Sequence, residues 1–345
     1  MTEITDRQQF LLSLVIHEYV RSASPVGSKH VVDEYHLDMS SATVRNEMAV
    51  LTEMGYLRQP HLSAGRVPTE DGYRLFVSHM VQETELPDST RRMITHQFYQ
   101  MRQDVEGWTR LAASVLAHQS RAASLVTAPH PEESRFKHLE LIAARGHQVL
   151  MVLVLMGGEI LQRFISLAEP VPQELLSSTA DRLNSLYTGK KILEITSDTT
   201  PLNPLEQDFL HSIIEEMEQA NAMVSGEVVL DGLTNVLAEP EFAASDEARR
   251  ALRVLEEKPL LNEILSKTVL QGNSQGGVQV LIGGEGIYDA LSQVSIVLAR
   301  YGTPGLATGT LGVLGPMRMP YGRTISIVRF LSSLLSDLVN DTIVE

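Results

Sequence analysis

The 345-residue chain is 43% hydrophobic, enough to bury roughly three quarters of its unfolded surface in about two or three domains, and its lack of cysteine excludes disulfides and thiolate metal centres. A formal charge of −15 argues against a protein that coats nucleic acid generally. The polar, acidic start MTEITDRQQ is not a secretory leader and the longest apolar run, Val149 to Met156, is far too short for a bilayer, so a cytoplasmic, non-membrane protein is expected.

Thr5 and Gln8 have the spacing of a reciprocal helix cap, and Phe10, Leu11, Leu14, Val15 and Val20 give the apolar stripe of a first, supporting helix. Ser24-Pro25-Val26-Gly27 breaks it. Ser28 is expected to cap a short second helix, Lys29 to Tyr35, with Val31 and Val32 inward. His30 and His36 have no further ligand pair at helical spacing and are read as surface residues rather than metal ligands. Ser40 or Ser41 then caps a third helix in which Val44, Met48, Leu51 and Met54 share one face, and Gly55 stops it. Tyr56 to Gln59, a turn at Pro60 to Ala64 and a return limb at Gly65 to Pro68 read as a two-stranded ribbon. Thr69 opens a fourth helix through Tyr73, Phe76, Val77 and Met80, and Leu86-Pro87-Asp88 ends it.

This order, helices followed by a ribbon, is that of a winged helix-turn-helix, and it has a physical use on DNA. The major groove admits one helix whose first residues reach base edges, while a flanking loop grips phosphate or the adjacent groove. Ser41, Thr43, Arg45 and Asn46 lie off the apolar face, and the ribbon offers Arg58, His61, Ser63 and Arg66. No Asp or Glu stands between Asp38 and Glu47 or between Glu53 and Glu70. Residues 1 to 80 nonetheless carry seven Lys or Arg against ten Asp or Glu, so binding would need a small local patch and a dimer, and would be salt-sensitive. The periodicity alone fits a protein-binding helix equally well.

Beyond a candidate boundary near Pro87, Ile94, Phe98, Met101, Val105, Trp108, Ala112 and Val115 alternate by four and three, the spacing either of a connecting helix that pairs with a partner or of an amphipathic helix packed on its own domain. Residues 137 to 167 then turn apolar and β-branched, and the breaks at Arg145-Gly146-His147 and Gly157-Gly158 predict three antiparallel strands. Helices are expected at 173–187, 203–224, 246–257 and 260–267, with a strand at 227–230. The last third reads as strands at 278–282, 294–299 and 311–314 and a terminal helix carrying Ile325, Val328, Leu331, Leu335 and Leu338. A central antiparallel sheet flanked by helices is the plan of GAF-like and PAS-like sensor domains.

Motifs for catalysis are missing. Gly284, Gly286 and Asp289 lack the third glycine of a dinucleotide fingerprint, no phosphate-loop motif occurs, and His17-Glu18 is not followed by a second ligand histidine. No Ser, His and Asp set has a nucleophile-elbow context. Neither an enzyme nor a cofactor or metal site is expected.

The string SSATVRNEMAVLTEMGYLRQPHLSAGRVPTEDGYR resembles the N-terminal signature of the HrcA family of heat-inducible transcription repressors, and VLIGGEG with LGVLGPMRMPYGR resembles its C-terminal signature. The middle, from about 170 to 260, matches in layout. The resemblance implies a stress-response repressor that acts as a homodimer at an inverted-repeat operator of chaperonin and chaperone operons and depends on a GroEL-type chaperonin for its active fold. Together these readings predict an α+β multidomain protein. Residues 1–86 form the winged helix, 87–127 a connecting helical segment, 128–170 with 260–345 a GAF-like α/β domain, and 171–259 an inserted dimerisation segment. Arg45 and Asn46 are assigned to bases, Ser40, Ser41 and Thr43 to phosphate or base, Lys29 to phosphate, and Arg58, His61, Ser63 and Arg66 to the wing. Two alternatives stay open: a ligand-gated regulator with a small-molecule site in the GAF-like domain, and a protein-interaction scaffold.

Overall fold

The structure, a computed structural model, describes residues 4–81, 85–101, 104–130, 133–156, 158–222, 228–244, 277–283, 291–303 and 307–344. The helices expected at 246–257 and 260–267, and the cluster of Gly284, Gly286 and Asp289, lie outside these residues. The chain divides into two compact units, one of Met1–Ala128, Glu227–Gly302 and Gly309–Glu345, the other of Pro129–Gly226 and Thr303–Thr308.

The first unit begins with helices α1 (Asp6–Ser22), α2 (Ser28–Tyr35) and α3 (Ser41–Glu53), a ribbon of β1 (Leu57–Arg58) and β2 (Val67–Pro68), and α4 (Glu70–His79). Thr5 and Gln8 cap α1 reciprocally, as their spacing predicts. The apolar stripe of α1 is wider than expected: Leu12 and Ile16 are buried with Leu11, Leu14 and Val15, whereas Phe10 is half exposed. Ser28 does not cap α2. It is the first helical residue and is buried, and Gly27 takes the cap position without a side-chain acceptor.

The four-three spacing from Ile94 does not make one long helix. It is split into α5 (Asp88–Gln100) and α6 (Val105–Ser120), because the Asp104 carboxylate accepts the Gly107 N–H at 2.9 Å and caps a new helix there. Ile94, Phe98, Trp108 and Ala112 are buried in their own unit, which decides for the packed amphipathic reading. A five-stranded sheet follows, in the order β7 (Val228–Asp231), β3 (Ala123–Thr127), β10 (Ala307–Pro316), β9 (Val294–Thr303) and β8 (Val278–Ile282). The β7–β3, β3–β10 and β9–β8 pairs run antiparallel. Every residue of β3 and β10 is buried, the signature of strands covered on both faces. Short helices α10 (Leu233–Leu237) and α11 (Pro240–Ala244) follow β7, and the terminal helix α12 (Tyr321–Val344) buries Ile327, Val328, Leu331 and Leu335.

Within this unit the N-terminal helices are tied to the sheet. Tyr73 on α4 meets Tyr321 with ring centroids 6.1 Å apart, and Arg74 donates to the Ile282 carbonyl at 3.2 Å. Arg318 pairs with Glu239 and Glu241 and reaches the Val20 carbonyl at 3.4 Å, one of the carbonyls that the last turn of α1 leaves free.

The second unit holds β4 (Phe136–Ala143), β5 (Gln148–Leu155) and β6 (Ile160–Ser166), with α7 (Gln173–Tyr187), α8 (Ile192–Thr196) and α9 (Pro204–Ala222). The three strands, grouped above with those of the last third, instead form a sheet of their own in the order β4-β5-β6. Their alternate residues Phe136, Leu139, Leu141, Val149, Met151, Leu153 and Leu155 share one core with Leu183 on α7 and Phe209 and Ile213 on α9. An amphipathic sheet buries its face against whichever apolar helix lies near, and α7 follows within a short connection. The outer edge of β4 is closed by side-chain amides: Asn184 bonds both the N–H (2.7 Å) and C=O (3.0 Å) of Leu139, and Gln173 bonds Ala143 and Leu141.

Candidate nucleic-acid interface

The surface proposed from the sequence is built on α3 and the ribbon. Of the two candidate caps, Ser40 is the one used: its hydroxyl accepts the Thr43 N–H at 3.1 Å and lies 2.9 Å from the Thr43 hydroxyl. Both oxygens are thereby committed to the start of α3, and Ser41 is half-buried beside them. Val44, Met48 and Leu51 bury the inner face. Glu47 is buried there too, and its carboxylate takes Gln8 of α1 at 3.0 Å and pairs with Arg7. This polar anchor between α1 and α3 was not foreseen from the sequence, where Glu47 reads only as the end of an acid-free stretch. Arg45 and Asn46 project from the opposite face, exposed and without a hydrogen bond or ion pair.

The ribbon is braced at both ends. At its root Val26 and Arg66 exchange two backbone hydrogen bonds of 2.8 Å, and Arg66 Nε donates to Thr52 Oγ1 on α3 at 2.9 Å. Arg66 is therefore a brace as well as an expected contact. At the tip Gln59 Nε2 donates to the carbonyls of Leu62 (2.9 Å) and Ala64 (3.0 Å). Arg58, His61 and Ser63 are exposed, as is Lys29 in the first turn of α2. A further exposed side chain, Leu62, went unremarked in the sequence although it is the lone leucine of a polar turn.

Gly65 lies flat on Val26, where an added Cβ would sit 2.4 Å from the Val26 carbonyl carbon and oxygen. The obstacle is backbone held by two hydrogen bonds and cannot swing aside. Gly65→Ala is expected to cost about 1–3 kcal/mol in a urea unfolding curve. Wild-type stability would mean that the ribbon root is not braced in this way.

Pairing decides the electrostatics. Arg7 pairs with Glu47, Arg21 with Glu18 (2.8 Å) and Glu34 (2.7 Å), and Arg74 with Glu70 and Asp71. His30 adds a contact to Glu18 at 3.0 Å. The Arg21 guanidinium, hydrogen-bonded to Glu34, holds that carboxyl below the usual range. Among the described residues Lys29, Arg45 and Arg58 are left without a carboxylate partner, and the Arg66 side chain donates to Thr52. The acidic sum over residues 1–80 therefore misstates this surface: three of the seven cations, Arg7, Arg21 and Arg74, are paired with carboxylates elsewhere, and the four others stand on α2, α3 and the ribbon. Among the described residues no group of three or more His, Asp and Glu side chains is placed to hold a metal, and no helix is long and apolar enough to cross a membrane.

A family profile described as the HrcA protein C-terminal domain matches residues 106–325. Over 346 aligned residues the chain is 41% identical to the heat-inducible transcription repressor HrcA of Roseiflexus castenholzii, covering 98% of this chain and 95% of that one. The chain belongs to the HrcA family. HrcA of Chloroflexus aurantiacus is 39% identical, with 98% and 94% covered, so the likeness takes in α1 to α4 as well as the profiled region. The HrcA family is one of transcription repressors and not of enzymes. A solved structure described as a hypothetical protein is 21% identical with a TM-score of 0.55 over 98% of each chain, and it shares the mixed α/β fold.

Proposed function

We propose that this protein is a cytoplasmic, homodimeric repressor of heat-shock operons that binds an inverted-repeat operator through an N-terminal winged helix-turn-helix. One observation carries the reading: the cations left without carboxylates in the N-terminal helices and ribbon are Lys29, Arg45, Arg58 and Arg66, on the elements that would meet DNA. Arg45 and Asn46 read base edges, since each forms paired hydrogen bonds to guanine or adenine. Ser40, Ser41 and Thr43 meet phosphate or base at the start of α3. Lys29 meets phosphate where the uncapped start of α2 leaves backbone N–H groups to help it. Arg58, His61, Ser63 and Arg66 form the wing contacts.

The five-stranded sheet with its helices serves as the GAF-like core, and the second compact unit serves as the inserted pairing segment. Supporting this, β4 has its free edge closed by Asn184 and Gln173, whereas β6 ends the sheet with Ile160 and Phe164 about 60% exposed. A two-fold dimer doubles the phosphate contacts without adding cations to either chain, which suits a chain of −15. Chaperonin dependence follows from marginal stability, since about 1–2 kcal/mol changes the folded ratio roughly five- to thirtyfold.

Selection from a random-sequence duplex pool, with and without GroEL-type chaperonin, tests the whole reading. An inverted repeat is expected to be enriched, with more active repressor when chaperonin is present. Enrichment of no sequence, or of a single unrepeated half-site, would sink it.

A further inference from the structure

We infer that the ribbon tip is an apolar wedge for duplex DNA: Leu62 enters the minor groove beside the base pairs faced by α3 and selects a deformable pyrimidine–purine step there. The inference rests on the DNA-binding reading above and extends it to a residue and a mode of recognition that phosphate and hydrogen-bond contacts do not supply.

Leu62 is 101% exposed, more open than any other large apolar side chain among the described residues. Its side chain is open to solvent on all sides, yet the turn that carries it is held by hydrogen bonds. Gln59 Nε2 holds the Leu62 and Ala64 carbonyls, and the Ala64 N–H donates to the His61 carbonyl at 2.9 Å. A tip needed only to reverse the chain would be served by any small polar residue without such bracing. Here an apolar group is held out to solvent on a preorganised backbone, so little ordering cost remains when it meets a partner.

The tip is also fixed relative to α3. Hydrogen bonds run from Thr52 of α3 through Arg66 Nε, and from Arg66 to Val26, so the position of α3 sets that of the ribbon. With α3 in the major groove, a ribbon fixed beside it falls on the adjacent minor groove. The chemistry of the ribbon suits that groove. No carboxylate occurs between Glu53 and Glu70, Arg58 and His61 flank the tip, and a narrow minor groove attracts such cations through its strong negative potential. Leucine is one of the side chains that enter between base steps, partly unstack them and bend the duplex. Pyrimidine–purine steps unstack most easily, so the wedge gives sequence preference at a step that α3 does not touch.

The test uses the full chain with chaperonin and the duplex that wild type enriches, labelled at both ends so that energy transfer reports bending. Leu62→Ala removes no internal contact, so the variant is expected to fold normally. It should bind roughly tenfold more weakly, lose the bend, and keep the wild-type dependence of affinity on salt. Leu62→Met should retain affinity and bend, and Arg58→Ala should lower the salt slope by about one. Leu62→Ala binding and bending like wild type would overturn the wedge while leaving the DNA-binding reading intact. A change only in the response to chaperonin would also overturn it and mark the tip as a protein contact. If wild type enriches no duplex, the DNA-binding reading itself fails and takes the wedge with it.

Discussion

Arg45→Ala should abolish most of the preference for operator over scrambled duplex and leave the stability of the protein unchanged. Arg45 is exposed on α3 with no internal hydrogen bond or ion pair, so its removal costs the fold no contact. On the operator the proposed role is a paired hydrogen bond to a base, and such a pair is worth about 1–3 kcal/mol of discrimination. That is roughly five- to 150-fold per half-site, and a two-fold dimer loses it twice. Binding to scrambled duplex rests on phosphate contacts and should fall far less. Equilibrium titrations of both duplexes across a salt series, beside a urea unfolding curve, read these quantities separately. Equal losses on both duplexes would demote Arg45 to a phosphate contact, and unaltered binding would remove α3 from the interface.

Trp108→Ala is expected to give the largest loss of stability among single substitutions in the first unit, about 3–5 kcal/mol. Trp108 is fully buried on α6 and meets Tyr301 of β9 edge to face, centroids 6.2 Å apart, joining a helix to the sheet. The Tyr301 hydroxyl donates to the Thr127 carbonyl, and burial pushes its pKa far above the ordinary tyrosine range. Truncation removes the indole and leaves a cavity that a sheet and helix fixed by other contacts cannot close. Trp108→Phe should cost much less, because Trp108 Nε1 is buried without an acceptor and its loss relieves an unsatisfied donor. Both variants lose the single tryptophan, so urea unfolding is followed by circular dichroism. Equal costs for Ala and Phe would mean that the indole N–H carries more than the ring volume. A loss of this size is a large part of an ordinary domain's stability of about 5–15 kcal/mol, so under the proposed chaperonin dependence the Trp108→Ala variant should respond to added chaperonin more strongly than wild type.

The local rules read well where one residue type has one physical use. Thr5 with Gln8, Ser40 and Gly55 mark helix ends because caps and left-handed stops admit few alternatives, and Gly55 does take φ of 86°. The helix at 173–187 and the strand at 278–282 fall where periodicity put them. The stretch 94–115 packs on its own unit, one of the two readings its spacing allows, but it reads as one helix where there are two: the apolar spacing continues across the break, and the decisive signal is a single carboxylate, that of Asp104 capping Gly107. Ser28 read wrongly because a buried serine and a capping serine look alike in a string.

The N-terminal order of helices, the ribbon, the absence of carboxylates around it and the exposed Arg45 and Asn46 were all determined by the sequence alone, since each depends on neighbours within one turn or one hairpin. Which strands share a sheet was not, because the alternation that buries Leu139 and Leu153 is the same whatever helix covers them. Nor was the charge of the candidate surface, since Arg7 finds Glu47 forty positions away and Arg21 finds Glu34 on the next helix. Only the tertiary structure decides which cations are cancelled, because pairing acts through distances of a few ångströms that the order of residues along the chain does not specify.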